Sequence, residues 1–239
     1  MKTTFKRLST NKNISAEVVS QIKKHLLNGT LKPGDKLPTE AELVEQFGIS
    51  RTPLREAIKI LESIGVIVIK RGKGMFITNK PSQFSLNPLI FSLIMYNENL
   101  DKLIEFRQHF EILMMNVIKT NWTAEKHKAI NEVYEYQVNT LNSELSAEEL
   151  AEVDLKFHYA LLEATENEFI IEIGRTIYEL YKPKMIHSKH SSSVEKTLKA
   201  HKNYLNILSN KKLLTEEQIK EMIQFNKEWL EGEKTAENN

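Results

Sequence analysis

The chain has 239 residues, which is long enough for one large domain or two smaller ones. It contains no cysteine, which excludes disulfides, thiolate metal sites and cysteine nucleophiles and suits a reducing compartment. No apolar run approaches the ~20 residues needed to cross a membrane, and the N-terminal stretch MKTTFKRLSTNKN lacks the apolar core of a signal peptide, so we expect a soluble cytoplasmic protein.

The net charge of +1 conceals two regions of opposite sign. Residues 1–80 hold 15 Lys or Arg against 7 Asp or Glu, a balance of +8, and the rest hold 18 against 25, a balance of −7. A basic N-terminal third is attracted to polyanions such as nucleic acid. The alternative is two solvated surfaces that differ by chance.

The N-terminal third predicts three short helices. Apolar residues recur at helical spacing over residues 16–27, and Asn28-Gly29 ends this first helix. Thr39 starts the second helix with a capping box, Thr39-x-x-Glu42, and Gly48 ends it. After a tight turn, Ser50 is the expected N-cap of a third helix that ends at Gly65.

The next stretch, VIVIKRGKGMFIT, predicts a β-hairpin with strands over residues 66–69 and 75–78. The turn between them is Arg71-Gly72-Lys73-Gly74. Two helices separated by a tight turn form a helix-turn-helix, and the hairpin forms a wing. We therefore predict a winged helix-turn-helix domain, of three helices plus a β-hairpin wing, over residues 1–78.

The remainder of the chain is almost entirely helical by its periodicity. Residues 79–88, NKPSQFSLNP, are predicted to be a linker, and residues 232–239 a polar, disordered tail. Between them, helices are predicted near residues 99–119, 123–142, 147–165, 167–185, 192–210 and 215–231. The fold class is therefore mainly α, with the winged domain joined to an antiparallel all-α bundle of six or seven helices over residues 89–231.

The third helix carries arginines at the end that would meet DNA. In a helix-turn-helix, this helix enters the major groove N-terminus first, which places Arg51, Thr52 and Arg55 at the bases or phosphates. Lys73, at the glycine-rich hairpin tip, would reach the backbone or minor groove. The alternative is that these side chains only solvate a surface helix.

These motifs resemble the winged-helix domain of the GntR family of bacterial transcription regulators. PGDKLPTE, GISRTPLREA and RGKGMFI carry the resemblance, which covers residues 12–78. It implies binding to double-stranded operator DNA. Because helix-turn-helix proteins usually read palindromes with two-fold symmetry, we also expect a palindromic operator and a homodimer. Together with the neighbouring Ser50 and Arg71, the DNA-binding set that we expect is Thr39, Ser50, Arg51, Thr52, Pro53, Arg55, Arg71, Gly72 and Lys73. Ala41 stands where many members carry an arginine that contacts DNA.

Polar residues interrupt the apolar faces of four bundle helices. Arg107 lies between apolar positions and could pair with Glu111 four residues later, either as a structural ion pair or beside a bound carboxylate. Asp154 and His158 share one helix face, which suits either metal chelation or an Asp–His hydrogen bond. His201 and Asn226 also occupy inward positions. Together these residues suggest one polar cavity inside the bundle.

The bundle resembles the FCD domain of the FadR-like branch of GntR regulators, through EFRQHFE, DLKFHYALLEATEN and AHKNYLNIL. Many FCD domains bind a divalent metal through one Asp and three His, and the metal holds an organic acid. By resemblance, Asp154, His158 and His201 are metal ligands, and Asn226 stands where the last histidine is expected. Arg107, Glu111 and Asn167 are the implied effector-binding residues.

The substitution at Asn226 leaves three outcomes open. A weaker site for zinc, nickel or manganese could use Asn226 or water as its fourth ligand. The site could instead be metal-free, with the effector bonded by histidine and arginine. Finally, His187 or His190 could supply the missing ligand.

The function predicted from these features is that of a repressor controlled by a small carboxylate metabolite. One alternative keeps the regulator but gives it a larger apolar effector, such as an acyl-CoA, and no metal. A second is a metal-dependent hydrolase built on the Asp and His residues, although no nucleophile motif accompanies them. A third is a nonspecific architectural DNA binder with a structural bundle.

Overall fold

The structure, a computed structural model, describes residue 5 and residues 13–79, 87–95, 100–141, 144–189, 194–209 and 212–222. The chain divides into two compact units between residues 95 and 96. Within the described residues, no helix combines the length and the apolar character that crossing a membrane requires. Asn226, His190, residues 80–86 of the predicted linker and the predicted tail all lie outside the described residues.

The first unit has the predicted order of helices and strands. Its elements are α1 (Ile14–Leu27), α2 (Glu40–Phe47), α3 (Arg51–Ser63), β1 (Ile67–Lys70), β2 (Gly74–Ile77) and α4 (Asn87–Met95). The two strands pair antiparallel, with Ile67 opposite Ile77 and Lys70 opposite Gly74. The winged helix-turn-helix prediction is therefore confirmed at the level of architecture.

Capping residues set the helix starts in this unit. Asn13 accepts a hydrogen bond from the Ala16 N–H at 3.2 Å, so α1 starts two residues earlier than its apolar pattern predicts. The Thr39 capping box is present as predicted. Ser50 occupies the N-cap of α3 as predicted, although its hydroxyl makes no capping bond.

The hairpin strands are displaced by one residue from their predicted bounds. The Val66 N–H donates to the Leu61 carbonyl at 2.8 Å. Val66 therefore caps the C-terminal end of α3 and is not the first residue of the strand. Strand β1 consequently begins at Ile67. The sequence pattern could not show whether Val66 follows the helix or starts the strand, because an apolar valine suits either position.

The core of the first unit lies between α1, α2, α3 and the hairpin. Helix α1 packs on α3, as does α2. Phe47, Leu54 and Ala57 are fully buried, and Ile67 and Ile77 close the core from the hairpin. This packing uses the apolar face of α3 and leaves its other face at the surface.

Helix α4 occupies residues that the sequence assigned partly to a linker. It begins at Asn87, inside the predicted linker of residues 79–88, and continues to Met95. It belongs to the first unit, whereas we expected the helical domain to begin at residue 89. The run of apolar residues in NPLIFSLIM has no helical stripe from which a start could be predicted.

The second unit is helical throughout its described part. It contains α5 (Leu100–Thr120), α6 (Ala124–Thr140), α7 (Ala147–Ala164), α8 (Glu168–Lys189) and α9 (Val194–Ile207), and residues 216–222 are also helical. Helix α7 packs against α6 and α8, and α9 packs against α6. Short connections make consecutive packed helices antiparallel, and the shared core includes Met114, Phe157 and Tyr178.

Candidate functional site

The N-terminal end of α3 presents the predicted DNA-binding side chains. Arg51 and Thr52 are exposed, Pro53 is half-buried, and Ser50 before them is exposed. Leu54, Ala57, Ile58 and Leu61 of the same helix are buried. The helix therefore offers its basic end to the surface while its apolar side anchors it.

Arg55 is joined to Glu40 of α2. The Nε of Arg55 lies 2.9 Å from Oε2 of Glu40, and 61% of the arginine side chain is exposed. A pair this exposed adds little to stability. Its effect is to orient Arg55, because the bond uses Nε and leaves the two terminal nitrogens for another partner.

The hairpin turn also presents cations. Arg71, Gly72 and Lys73 are exposed, and Gly72 has a φ of 72°, a conformation that glycine adopts without strain. Beside them, Lys70 and Lys36 lie 4.9 and 6.0 Å from the centre of the Phe76 ring. These two lysines extend the basic surface of the wing and were not singled out from the sequence.

The exposed Thr39 has its hydroxyl occupied within the chain. Its oxygen accepts from the Glu42 N–H at 3.3 Å and its proton goes to the Glu42 carboxylate at 2.9 Å. A DNA contact through this hydroxyl would compete with the capping box, so the structure explains Thr39 first as a helix cap.

In the second unit, three predicted ligands meet in the interior. Asp154 and His158 come from successive turns of α7, and His201 comes from α9. One ligand atom of each lies within 4.8 Å of the others, and all three side chains are buried. Oδ1 of Asp154 is 3.0 Å from His201 Nε2 and 3.6 Å from His158 Nε2. We call these three residues the Asp–His–His cluster.

Burial keeps the His158 ring neutral. Desolvation, followed by the positive charge of Arg107, lowers the pKa of His158 to about 3. A neutral ring has one nitrogen with a free lone pair, as metal ligation requires. Among the described residues, its buried Nδ1 has no hydrogen-bond partner, and Glu111 Oε1 lies 3.8 Å away.

Arg107 and Glu111 of α5 form a buried ion pair beside the cluster. Arg107 Nε lies 2.9 Å from Glu111 Oε1, and 12% of the arginine side chain is exposed against 0% of the glutamate. The guanidinium also lies 4.2 Å from the Tyr181 ring centre, within cation–π range. The predicted pairing is present, and it leaves the terminal guanidinium nitrogens outside that bond.

Glu111 is held as a carboxylate. Tyr204 donates to its Oε2 at 2.8 Å, and Tyr178 donates to Oε1 at 3.3 Å. Burial raises the pKa of Glu111, but the charge of Arg107 and the hydrogen bonds from Tyr204 and Arg107 outweigh burial and lower the pKa overall. Burial and the neighbouring carboxylate raise the pKa of both tyrosines, so they stay protonated and keep donating.

Asn167 does not share this buried environment. Its side chain is exposed, and its Oδ1 accepts from the Phe169 and Ile170 N–H groups at 3.0 and 3.3 Å. These bonds start α8 and explain the residue without an effector, so the geometry gives its predicted effector role no support. His187 is likewise exposed, on α8.

Several residues around the cluster were missed from the sequence. Gln137 of α6 is fully buried and bonds His201, while Tyr178, Tyr181 and Tyr204 surround the ion pair. Gln137 follows Ile130 and Tyr134 at helical spacing, which is the signal that identified Arg107 and His201. The tyrosines carry no such signal, because an aromatic residue in an apolar slot looks like ordinary core.

Two protein families match the chain. The family described as "Bacterial regulatory proteins, gntR family" matches residues 14–77, and the family described as "FCD domain" matches residues 102–224. The second match covers 123 of the 239 residues, which is more than half of the chain.

Curated proteins and solved structures agree with these matches. The chain is 32% identical over 147 residues to the HTH-type transcriptional regulator LutR of Bacillus subtilis, covering 60% of this chain and 64% of LutR. It is 29% identical over 167 residues to the Glc operon transcriptional activator of Escherichia coli, covering 69% and 66%. The solved structure of Streptococcus agalactiae GntR has the same fold, with a TM-score of 0.56, 18% identity and coverage of 90% of this chain and 99% of that one.

These likenesses have a limited extent. The alignments span 64% and 66% of the lengths of the two curated relatives. The solved structure is similar in fold at low sequence identity.

Proposed function

Since the chain belongs to the GntR family of bacterial regulatory proteins and carries an FCD domain, we propose that it binds a palindromic operator as a homodimer and that a small carboxylate in its helical unit controls that binding. The relatives are transcription regulators and not enzymes. These relatives give no support to a hydrolase built on the Asp–His–His cluster.

DNA binding is supported by the surface of the first unit. The N-terminal end of α3 and the hairpin turn both expose arginine or lysine side chains. The Glu40 pair leaves the terminal nitrogens of Arg55 outside the bond, in the fork that bonds a phosphate or a guanine edge. A helix end that reads bases and a wing that contacts the backbone are the parts that a winged helix requires.

A divalent cation fits the Asp–His–His cluster. One carboxylate and two imidazoles are a donor set that suits zinc, nickel or manganese. The three groups are buried and already lie within 4.8 Å of one another, so little reorganisation is needed to bring them together. A bound metal would supply a fixed positive charge to which an organic acid can attach. Asn226 or water would complete the ligand set.

Charge balance supports a carboxylate effector. Arg107 and Glu111 cancel and His158 is neutral, so with His201 as a neutral metal ligand the Asp154 carboxylate leaves one net negative charge among these residues. A bound divalent cation would change this net charge from −1 to +1, and one carboxylate of an effector would then neutralise it. The terminal nitrogens of Arg107 give that carboxylate a second anchor. The effector would therefore be a small acid rather than a large apolar molecule.

The single observation that carries the proposal is the meeting of Asp154, His158 and His201 in the interior, with Arg107 Nε bonded to Glu111 beside them. An effector changes operator affinity only if it binds the DNA-competent and incompetent states unequally. We propose that it weakens operator binding and so relieves repression. One relative is named as an activator, so the experiment measures whether the effector lowers or raises operator affinity.

The test is operator affinity, measured by fluorescence anisotropy on DNA found by footprinting, with and without a panel of hydroxy and keto acids. We expect one acid to weaken binding at least about fivefold, the lower range of allosteric coupling. Arg107→Lys keeps the charge but loses the planar fork, and it should lose most of the response. Unchanged affinity with every acid at saturation would contradict the proposal.

A further inference from the structure

Gln137 of α6 joins His201 to the backbone of α7. Its Nε2 donates to the Val153 carbonyl at 2.8 Å, and its Oε1 lies 2.7 Å from Nδ1 of His201. The side chain is completely buried. Because a carbonyl can only accept, the amide nitrogen must face Val153, and the amide oxygen must therefore face His201.

This arrangement decides which nitrogen of His201 carries a proton. An amide oxygen 2.7 Å from Nδ1 requires a proton on Nδ1. The other nitrogen, Nε2, faces Asp154 Oδ1 at 3.0 Å. With its proton on Nδ1, the ring has an acceptor at Nε2 that faces a second acceptor, and a metal ion between the two would bond both.

The His201 ring cannot turn easily away from this orientation. Phe157 of α7 stacks on it, with ring centroids 4.1 Å apart and an interplanar angle of 12°. His158 meets it edge-on at 5.2 Å. The ring plane is thus fixed by packing, and the protonation pattern is fixed by the amide.

We propose that Gln137 is a positioning residue that keeps the proton of His201 on Nδ1, so that Nε2 faces the Asp–His–His cluster as the nitrogen that binds a divalent cation. The inference rests on the metal site of the proposed function. Hydrogen-bond partners of this kind fix the tautomer of ligating histidines. Without Gln137, the competing tautomer with Nε2–H would donate to Asp154 and remove that lone pair from the cluster.

A measurement on metal-free protein tests the tautomer directly. Long-range ¹H–¹⁵N correlation spectra of ¹⁵N-histidine protein, in chelator at about pH 8, above the ordinary histidine pKa, report which ring nitrogen is protonated. His201→Gln identifies the His201 signals among those of the 7 histidines.

We expect protonated Nδ1 of His201 in the wild type and in Gln137→Glu, which keeps the acceptor. In Gln137→Leu the proton should move to Nε2. Unprotonated Nδ1 in the wild type would overturn the inference, even if the leucine variant does not fold.

A zinc titration tests the consequence for binding. Gln137→Leu should bind zinc about 10–100-fold more weakly than the wild type, as loss of a ligand's hydrogen-bond partner typically does, and Gln137→Glu should retain tight binding. Thr176→Val is the matched control, because it removes a buried hydroxyl that donates to the Glu172 carbonyl of its own helix. Equal zinc affinity of the leucine variant and the wild type would overturn the inference.

The two measurements separate the inference from the proposed function. If the wild type binds no zinc but shows protonated Nδ1 that depends on Gln137, the metal site fails and the role of Gln137 in orienting His201 stands. If the wild type binds zinc and Gln137→Leu changes neither the tautomer nor the affinity, the metal site stands and Gln137 has no positioning role.

Discussion

At the scale of single residues, the difference in burial between Arg107 and Arg51 gives the two side chains different roles. Arg107 is almost enclosed, bonded to a fully buried glutamate and packed on Tyr181. Arg51 is exposed at the first position of α3. An enclosed guanidinium can anchor an anion that enters the protein, whereas an exposed one at a helix N-terminus can only meet a partner outside.

Replacing Arg51 with alanine should weaken operator binding about 10–100-fold, because a bidentate arginine contact contributes about 1–3 kcal/mol. Stability should not change, since the side chain is exposed. Arg51→Lys is the matched control: it keeps nonspecific binding through its charge but not the bidentate contact. Anisotropy on operator and on scrambled DNA separates these effects, and unchanged operator affinity of the alanine variant would refute the assignment.

His158 should make the metal-free protein sensitive to acid. Its pKa is about 3 in the folded chain because of burial and Arg107, against about 6.5 when exposed. Between these values the unfolded state binds more protons, so the stability present above about pH 6.5 falls progressively toward pH 3.

Denaturant unfolding in chelator across that pH range measures this effect. His158→Gln should show a flatter profile down to about pH 5, above the range where carboxyl groups such as Glu111 begin to protonate. Equal slopes for the two proteins in the upper half of the window would show that His158 does not titrate as its burial requires.

At the scale of elements, a close approach of α7 and α8 depends on one glycine. A Cβ on Gly174 would collide with Leu162 Cδ2 and would lie 2.9 Å from Leu162 Cδ1 and 3.0 Å from Phe110 Cε1. These helices carry His158 and Tyr178, so their spacing sets the geometry of the site.

Gly174→Ala should therefore destabilise the protein by about 1–3 kcal/mol through overpacking, although alanine is the better helix former. Leu162→Val removes both colliding atoms and is the matched partner. In the double variant, part of the loss should be recovered, which a double-mutant cycle of unfolding free energies would measure. Strict additivity of the two changes would rule out the clash.

The helix bounds also show what a single sequence can specify. Helices α5 to α9 begin and end within a few residues of their predicted positions, since each has an apolar stripe and several have capping residues. Helix α4 could not be predicted, because its apolar residues form no stripe.

Within the site, polar residues in apolar slots identified Arg107, Asp154, His158 and His201. Tyr178 and Tyr204 remained hidden, because only the fold brings their hydroxyl groups to Glu111.

At the scale of the whole molecule, the two units separate two kinds of chemistry. The first exposes cations on a short helix and a hairpin. The second buries a carboxylate, two imidazoles and an ion pair inside packed helices. This division matches the opposite net charges of the two parts of the sequence. The proposed regulator needs both, since one unit would bind the operator and the other would sense the effector.

The most direct test of the buried site is the metal content of untagged protein, purified without chelator and measured by mass spectrometry. We expect close to one divalent metal per chain in the wild type and a large loss in His158→Ala. Protein that is folded, contains no metal and refuses added zinc, nickel and manganese would contradict the metal site, and the search for effectors would move to acids held by Arg107 and the histidines directly.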